Sequence, residues 1–135
     1  RNGGVWKTIN NGTTFQCISD DLGVTAIGEI TIAPSNPDIL WIGTGEDFNC
    51  RSSYYGNGVW KSNDAGKTWE NMGLKDSHHI SRIIIHPENP DIVWLASMGH
   101  LFTENEERSV FRYLFSCYWY LSFRYSWQGC ELYKK

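Results

Sequence analysis

The sequence predicts an all-β fold built from repeated antiparallel units, and three observations lead to this prediction. The block Gly4-Val5-Trp6-Lys7 returns as Gly58-Val59-Trp60-Lys61, and the longer block 30–42 returns as 83–95. Short apolar runs alternate with turn residues, and no helical periodicity appears before Arg112. Both blocks recur after about fifty residues, a period that is typical of β-propeller blades. We therefore predict a fragment of a multi-bladed β-propeller.

Strands are expected where β-branched and aromatic residues lie between turn residues. The predicted strands cover residues 5–8, 14–18, 24–33, 39–43, 59–62, 68–72, 80–86 and 92–97. The four central strands form one complete unit, a full blade from about Val24 to Gly73. The strand pairs before and after it predict a half blade on either side.

The complete unit begins with a hairpin whose turn the sequence predicts. Strand 24–33 ends at Pro34, which has no N–H to donate to a strand ladder. The next residues, Ser35-Asn36-Pro37-Asp38, favour a turn, because proline presets φ and small polar side chains bond nearby backbone. Strand Ile39–Gly43 is apolar throughout, which predicts that both of its faces are covered.

Residues 1–112 follow the repeat, whereas residues 113–135 do not. The segment Ser109-Val110-Phe111-Arg112 loosely matches a third copy of the Gly-Val-Trp-Lys block. The tail after it is rich in aromatic residues and lacks the turn residues of the earlier copies. We therefore assign 1–112 to a partial propeller and treat 113–135 as an aberrant aromatic tail outside it. Because the chain opens in the middle of a repeat, we expect an internal piece of a longer protein.

The composition argues against several classes of function. The formal net charge is −3 with scattered Lys and Arg, so no basic stripe predicts nucleic-acid binding. No apolar run is long enough to span a bilayer. Without Cys-x-x-Cys pairs or zinc-finger histidines, we expect free thiols at Cys17, Cys50, Cys117 and Cys130. A Cys17–Cys50 bridge is conceivable in an exported parent.

The hairpin between the third and fourth strands of the full blade has a recognisable pattern. Ser62 opens it, and Asp64 can accept hydrogen bonds from backbone amides inside the turn. Gly66 supplies a positive φ without steric cost. Thr68 re-enters the sheet, and Trp69 offers a large apolar surface. An earlier copy keeps the pattern, with asparagine in place of aspartate, at Asn10, Gly12, Thr14 and Phe15.

This Ser-x-Asp-x-Gly-x-Thr-Trp pattern resembles the Asp-box, or BNR repeat, of β-propellers such as sialidases. Together with the Ile-x-Pro-x-Asn-Pro-Asp-Ile-x-Trp strand pair, the resemblance is closest to the sortilin N-terminal and xyloglucanase-like group. It covers residues 1–112 and implies that the box residues are structural, so Asp64 is not expected to be catalytic. The group contains both receptors and enzymes, so the fold does not decide the function. The resemblance also implies a secreted or extracytoplasmic parent.

In a four-stranded blade the loops divide between two faces. The tight turns 35–38 and 63–66 share one face, and the long loops 45–57, 73–79 and 98–108 share the other. Long loops on a rigid scaffold usually carry binding and chemistry. Their polar and aromatic candidates are Glu46, Asp47, Arg51, Tyr54, Tyr55, Asp76, His78, His79, His100, Glu104, Glu106 and Glu107.

The function we expect is a non-catalytic binding or interaction scaffold. Tyr54 and Tyr55 would stack on sugar rings or hold a peptide, because aromatic faces serve either ligand. Asp76, His78 and His79 are further ligand-binding candidates. The partner would be a protein, a peptide or a polysaccharide, and the missing blades of the parent chain would complete the surface.

The alternative function is part of a glycoside hydrolase. Such an enzyme needs two carboxyl groups that face each other across the scissile bond. Glu46 or Asp47 would supply one of them, and a missing blade the other, because adjacent side chains on extended backbone point apart.

Neither a cofactor nor a metal is expected. No Ser-His-Asp order, phosphate loop or dinucleotide motif occurs. The candidate metal ligands are His78 and His79, with Asp76 and His100. Adjacent histidines rarely bind one ion, and no His-x-His or His-x-x-x-His spacing occurs.

Overall fold

The structure is a computed structural model that describes residues 3–48, 52–114, 121–126 and 129–134, the last two ranges by their backbone alone. These residues form three antiparallel sheets and one short 3-10 helix. The fold is all-β, as predicted. Within the described residues, no helix is long and apolar enough to cross a membrane.

The first sheet is a two-stranded hairpin of β1 (Trp6–Lys7) and β2 (Gln16–Cys17). Both strands are shorter than predicted but lie at the predicted places. A 3-10 helix, Asp20–Leu22, follows them and is not predicted by the apolar pattern. It ends at Gly23, whose φ of 71° lies in the left-handed region that glycine adopts without strain.

The second sheet is the complete unit that the repeat predicts. Its strands pair in chain order as β3 (Ile27–Ala33), β4 (Asn36–Thr44), β5 (Val59–Ser62) and β6 (Glu70–Gly73). The first turn is tighter than predicted, because Asn36 pairs with Ala33 and leaves only residues 34–35 in the turn. Residues 36–38 therefore belong to the strand, which corrects the turn predicted at 35–38.

The third sheet is larger than the half blade predicted for it. Its strands pair in chain order as β7 (Ile80–Ile85), β8 (Ile92–Ser97), β9 (Ser109–Leu114), β10 (Leu121–Ser126) and β11 (Gly129–Lys134). Strand β9 contains the loose third copy of the Gly-Val-Trp-Lys block and pairs with β8 along its whole length. The backbone of β10 and β11 continues this sheet into the range 113–135. The assignment of residues 113–135 to a tail outside the propeller stays a prediction.

The second and third sheets repeat each other in register as well as in sequence. Thr31 pairs with Trp41 in β3–β4, and Ile84 pairs with Trp94 at the equivalent place in β7–β8. Each hairpin also has an irregularity near the start of its first strand, after Ile27 in one copy and after Ile80 in the other. The sequence repeat is therefore a repeat of strand geometry.

The core lies between the second and third sheets. Its buried side chains come from both sheets: Ala33, Trp41, Val59, Ile80, Ile83, Ile85, Val93, Leu95 and Phe111. Gly43 permits the close approach, because a Cβ there would lie 2.4 Å from Cγ2 of Ile80. The edge of the Tyr113 ring meets Trp41 across the interface, with 5.4 Å between ring centroids. The two sheets are thus stacked face to face, and this packing fixes the spacing of the loops at their ends.

Candidate functional site

The loops divide between two faces, as the strand order predicts. On one face the tight turns of the second sheet meet, where Ala65 N–H donates to the Asp38 carbonyl at 2.8 Å. On the other face Gly56 N–H donates to the His78 carbonyl at 2.7 Å, which joins the β4–β5 and β6–β7 loops. We call this second surface the long-loop face, comprising residues 45–48, 52–58, 74–79 and 98–108.

Glu46 closes the first of these loops. It is only 8% exposed, and its Oε2 accepts the Tyr54 N–H at 3.1 Å. The Glu46 N–H also donates to the Tyr54 carbonyl at 3.0 Å. Asp47, in contrast, is exposed. The two carboxylate candidates therefore differ, since Glu46 holds its own loop and Asp47 is accessible to a ligand.

Exposed aromatic side chains cover part of the long-loop face. Tyr54 and Tyr55 are 61% and 67% exposed, and both were predicted as ligand contacts. Phe48 and Phe102 are exposed on the same face. These two phenylalanines are not among the residues predicted from the sequence, although an aromatic residue in an otherwise polar loop indicates a candidate ligand contact. Each of these four rings adds exposed apolar area to a face that is otherwise polar.

Tyr55 is held in place by histidine rings from two other loops. Its ring stacks on His78 with 4.8 Å between centroids and 24° between planes. His78 in turn stacks on His100 with 3.7 Å between centroids and 23° between planes. One residue comes from each of the three long loops, so the stack links the loops at this face.

Asp76 lies beside both of these histidines. Its Oδ1 is 3.4 Å from Nε2 of His100 and 4.0 Å from Nε2 of His78. Its Oδ2 accepts a hydrogen bond from Nδ2 of Asn105 at 3.1 Å. The structure thus brings together Asp76, His78 and His100, three of the four candidate metal ligands that the sequence offered, and leaves out His79.

The conformation of the third long loop is fixed by hydrogen bonds to its own backbone. Arg108 Nε donates to the Met98 carbonyl at 2.9 Å, and Nη2 of the same side chain donates to the His100 carbonyl. Nδ1 of His100 lies 2.8 Å from the Thr103 hydroxyl. The His100 ring is therefore oriented from both its backbone and its side chain.

The adjacent histidines point in different directions. His78 has a φ of 60°, and the His79 N–H donates to the Ser77 carbonyl at 2.7 Å, which closes a three-residue turn. His79 is buried, with Nδ1 2.8 Å from the Glu46 carbonyl. Burial lowers the pKa of His79, and burial followed by the nearby His100 lowers the pKa of His78. Both rings are consequently biased towards the neutral form.

The remaining candidates differ in their surroundings. Glu104 and Glu106 are exposed, whereas Glu107 is half-buried, and burial and the neighbouring Asp76 raise the pKa of its carboxyl. Cys17 forms no disulfide with any residue that the structure describes. Arg51 and Cys50 lie outside the described residues, and so does the conceivable Cys17–Cys50 bridge.

The hairpin between β5 and β6 is organised around Asp64. Its Oδ2 accepts the Thr68 hydroxyl at 2.6 Å, and its Oδ1 accepts the Thr68 N–H, the Ser62 hydroxyl and the Lys67 N–H at 2.9, 2.8 and 3.0 Å. These hydrogen bonds, that of the Thr68 hydroxyl first, lower the pKa of Asp64 far below its ordinary value. A carboxylate so occupied has a structural role.

The earlier hairpin reproduces this arrangement with Asn10. Its Oδ1 accepts the Thr14 N–H at 2.9 Å, and its Nδ2 donates to the Thr14 hydroxyl at 2.9 Å. The glycines match as well, since Gly12 and Gly66 have φ values of 84° and 85°. Asparagine can therefore replace aspartate in this turn, because the amide keeps bonds to both the backbone and the hydroxyl.

The aromatic residues that end the two hairpins differ. Trp69 is partly buried, and its Nε1 donates to the Ile18 carbonyl, which joins the second sheet to the first. Phe15 occupies the equivalent place in the earlier hairpin and is exposed. Of these two aromatic residues, Trp69 makes a contact between sheets, whereas Phe15 remains exposed.

Comparison with known proteins identifies the fold. The GH74 enzyme of Niastella koreensis matches with a TM-score of 0.62 and 20% sequence identity over 85% of this chain. The chain spans 17% of that protein's length. No protein-family model and no curated protein matches. The chain has the fold of a β-propeller fragment, and at this identity the likeness shows the fold alone.

Proposed function

We propose that this chain is part of a β-propeller that binds an extended polysaccharide on its long-loop face without cleaving it. The observation that carries the proposal is the pair of exposed tyrosines, Tyr54 and Tyr55, on a face where three loops are tied together. An aromatic ring offers a flat apolar surface and, in tyrosine, a polar tip. Sugar rings present flat C–H faces, which complement the apolar surface of the ring, and hydroxyl edges, which complement the polar tip.

Pre-organisation of the rings favours binding. Tyr55 stacks on His78, so its ring has fewer orientations to lose when a ligand arrives. Phe48 and Phe102 add apolar surface to the same face. A polysaccharide is favoured over a peptide because the structural neighbour is a GH74 enzyme.

The family we propose for the parent is the Asp-box propeller group, near the sortilin-like and xyloglucanase-like members. The support is the shared bonding of the two hairpins, in which Asp64 and Asn10 each bind the backbone and hydroxyl of the threonine four residues later. Secretion of the parent follows from this resemblance and belongs to the same proposal.

The second candidate is part of a glycoside hydrolase, and one observation favours it. Asp47 is exposed on the long-loop face, where a second carboxylate from another blade would complete an acid/base pair. Glu46 is the weaker candidate of the two, because its carboxylate accepts a backbone hydrogen bond within its own loop.

The binding proposal is tested by affinity electrophoresis of the chain in gels that contain xyloglucan or another soluble β-glucan. Tyr54→Ala and Tyr55→Ala are each expected to weaken retention by about three- to tenfold, the range for loss of one aromatic contact. Phe15→Ala is the matched control, since it removes an exposed ring from another hairpin and should leave retention unchanged.

Equal retention of the wild type and both tyrosine variants would refute the polysaccharide proposal, and retention on immobilised peptides instead would identify a peptide-binding face. Release of reducing sugar ends that Asp47→Asn abolishes would favour the hydrolase.

A further inference from the structure

We propose that Asp76, His78 and His100 form a binding site for a divalent transition-metal ion such as Zn2+. The site lies on the long-loop face next to Tyr55, but the inference does not depend on what the tyrosines bind. Two imidazole nitrogens and one carboxylate oxygen are a ligand set that zinc and its neighbours in the first transition row accept.

The three ligand atoms converge. One ligand atom from each residue lies within 4.8 Å of the other two. Oδ1 of Asp76 is 3.4 Å from Nε2 of His100 and 4.0 Å from Nε2 of His78. Ligands about 2.0–2.1 Å from a tetrahedral ion lie roughly 3.3 Å apart, so the distance from Asp76 to His100 already fits and the distance from Asp76 to His78 has to shorten. The two imidazole rings are stacked with 23° between their planes, so they also have to tilt for both nitrogens to face the ion.

Two of the three ligands are also oriented by a hydrogen-bonding neighbour. Asn105 holds Oδ2 of Asp76 and thereby turns Oδ1 towards the two rings. Nε2 of His100 lies 3.0 Å from the Asp76 backbone carbonyl, which can only accept a hydrogen bond, so a bound ion replaces the proton between these two atoms. The Thr103 hydroxyl, 2.8 Å from Nδ1 of His100, can then accept a hydrogen bond from Nδ1–H, which makes the Nε2 lone pair available to the ion. Such partners beyond the ligands are typical of histidine metal sites.

The backbone around His78 points to the same conclusion. Its φ of 60° is unusual for a residue that is not glycine. This turn sends the His79 ring into the protein, where Nδ1 contacts the Glu46 carbonyl, and leaves His78 on the surface with His100. The objection that adjacent histidines rarely share an ion therefore does not apply, because His100 comes from a different loop.

The site is open to solvent. The Asp76 side chain is largely exposed, and those of both histidines are partly exposed. Three protein ligands leave at least one coordination position for water or for a ligand donor atom. From the sequence alone no metal was expected at this place.

The test is isothermal titration calorimetry of the chain with Zn2+ alone, supported by the visible absorption of bound Co2+. We expect one ion per chain in the wild type. His78→Ala, His100→Gln and Asp76→Asn should each weaken binding by at least about tenfold, while Thr103→Val should weaken it by roughly tenfold through the orienting bond.

The matched control is His86→Ala. His86 belongs to the β7–β8 turn on the opposite face, where its Nδ1 accepts the Glu88 and Asn89 N–H groups. This variant lacks one histidine, as the His78 and His100 variants do, and its affinity for Zn2+ should equal that of the wild type. Far-UV circular dichroism confirms that each variant is folded, and His100→Gln and Asp76→Asn retain hydrogen-bonding side chains in case an alanine variant unfolds.

Three results would overturn the proposal. These are no heat of binding with millimolar Zn2+, an affinity unaffected by His100→Gln and Asp76→Asn, and an equal loss in His86→Ala. A Co2+ spectrum without the intense bands of a low-coordination site would exclude the geometry proposed here.

Discussion

Asp64 shows at the scale of one residue how the sequence fixes a turn. Its carboxylate accepts hydrogen bonds from Ser62, Lys67 and Thr68, and Gly66 supplies the left-handed backbone between them. Each residue type in the pattern has one bond or one dihedral angle to supply. The hairpin could therefore be predicted from residue types and spacing alone.

The first prediction concerns the pH dependence that Asp64 confers. Because hydrogen bonds hold its pKa below the ordinary value of 3.8, its stabilising contribution is complete above that pH and is lost as pH falls below it. Asp64→Asn, which copies Asn10 of the earlier hairpin, should melt at a lower temperature than the wild type at pH 7. The difference should shrink as pH falls below 4.

Thermal melts followed by circular dichroism between pH 3 and pH 7 measure this. The reciprocal variant, Asn10→Asp, serves as the control, since it should gain the pH dependence that Asp64→Asn loses. A melting difference that stays constant over the whole pH range would show that the carboxylate charge does not stabilise the turn.

The sequence named Asp76, His78, His79 and His100 as candidate metal ligands, but it could not show which of them converge. In the structure Asp76, His78 and His100 meet, whereas the His79 ring contacts the Glu46 carbonyl instead. The loop 98–108 takes its conformation from Arg108 and Asn105, whose bonds to distant backbone carbonyls follow no short-range pattern. Which side chains from separate loops come together therefore cannot be predicted from the sequence.

At the scale of elements, the repeat predicted strand pairing better than strand ends. Asn36 Oδ1 accepts the Asp38 N–H at 3.1 Å, and Asn89 Oδ1 accepts the Asp91 N–H at 3.0 Å, so both Asn-Pro-Asp corners make the same bond. The first corner is nevertheless part of a strand and the second part of a turn. The two corners differ because Asn36 pairs with Ala33 across the strands, whereas Asn89 has no such pair in its hairpin. Local turn chemistry does not determine this pairing.

The second prediction separates the two faces of β7. Ile83 is 2% exposed and packs in the core between the sheets, whereas its neighbour Ile84 is 54% exposed. Ile83→Ala should destabilise the fold by about 2–5 kcal/mol, because it leaves a cavity in a packed core. Ile84→Ala, the matched control, should change stability by less than about 0.5 kcal/mol.

Urea unfolding followed by tryptophan fluorescence measures both variants. Equal destabilisation by Ile83→Ala and Ile84→Ala would contradict the assignment of the inner and outer faces of β7. A larger effect of Ile84→Ala would mean that the strand is shifted by one residue, since such a shift exchanges the faces.

At the scale of the molecule, each sheet depends on the next to cover its apolar face. The second and third sheets bury one shared core, but apolar side chains remain exposed on their outer faces. These are Ile30, Ile32, Ile84 and Val110. In a propeller the neighbouring blades cover such faces. The repeat alone predicted this stacking. It did not predict the extent of the third sheet, because Ser109 and Arg112 stand where the earlier copies have Gly and Lys, and the third copy of the block is therefore hard to recognise.

The face-to-face stacking of the repeated sheets is the claim on which the long-loop face depends. Its most direct test is a nuclear Overhauser experiment on the chain, labelled at isoleucine methyl groups. Gly43 and Ile80 belong to different sheets, yet a Cβ on Gly43 would lie 2.4 Å from Cγ2 of Ile80. We predict a strong cross-peak between the Gly43 α-protons and the Ile80 γ2 methyl. Its absence from a spectrum that shows the Ile30–Ile42 cross-strand contacts would contradict this stacking.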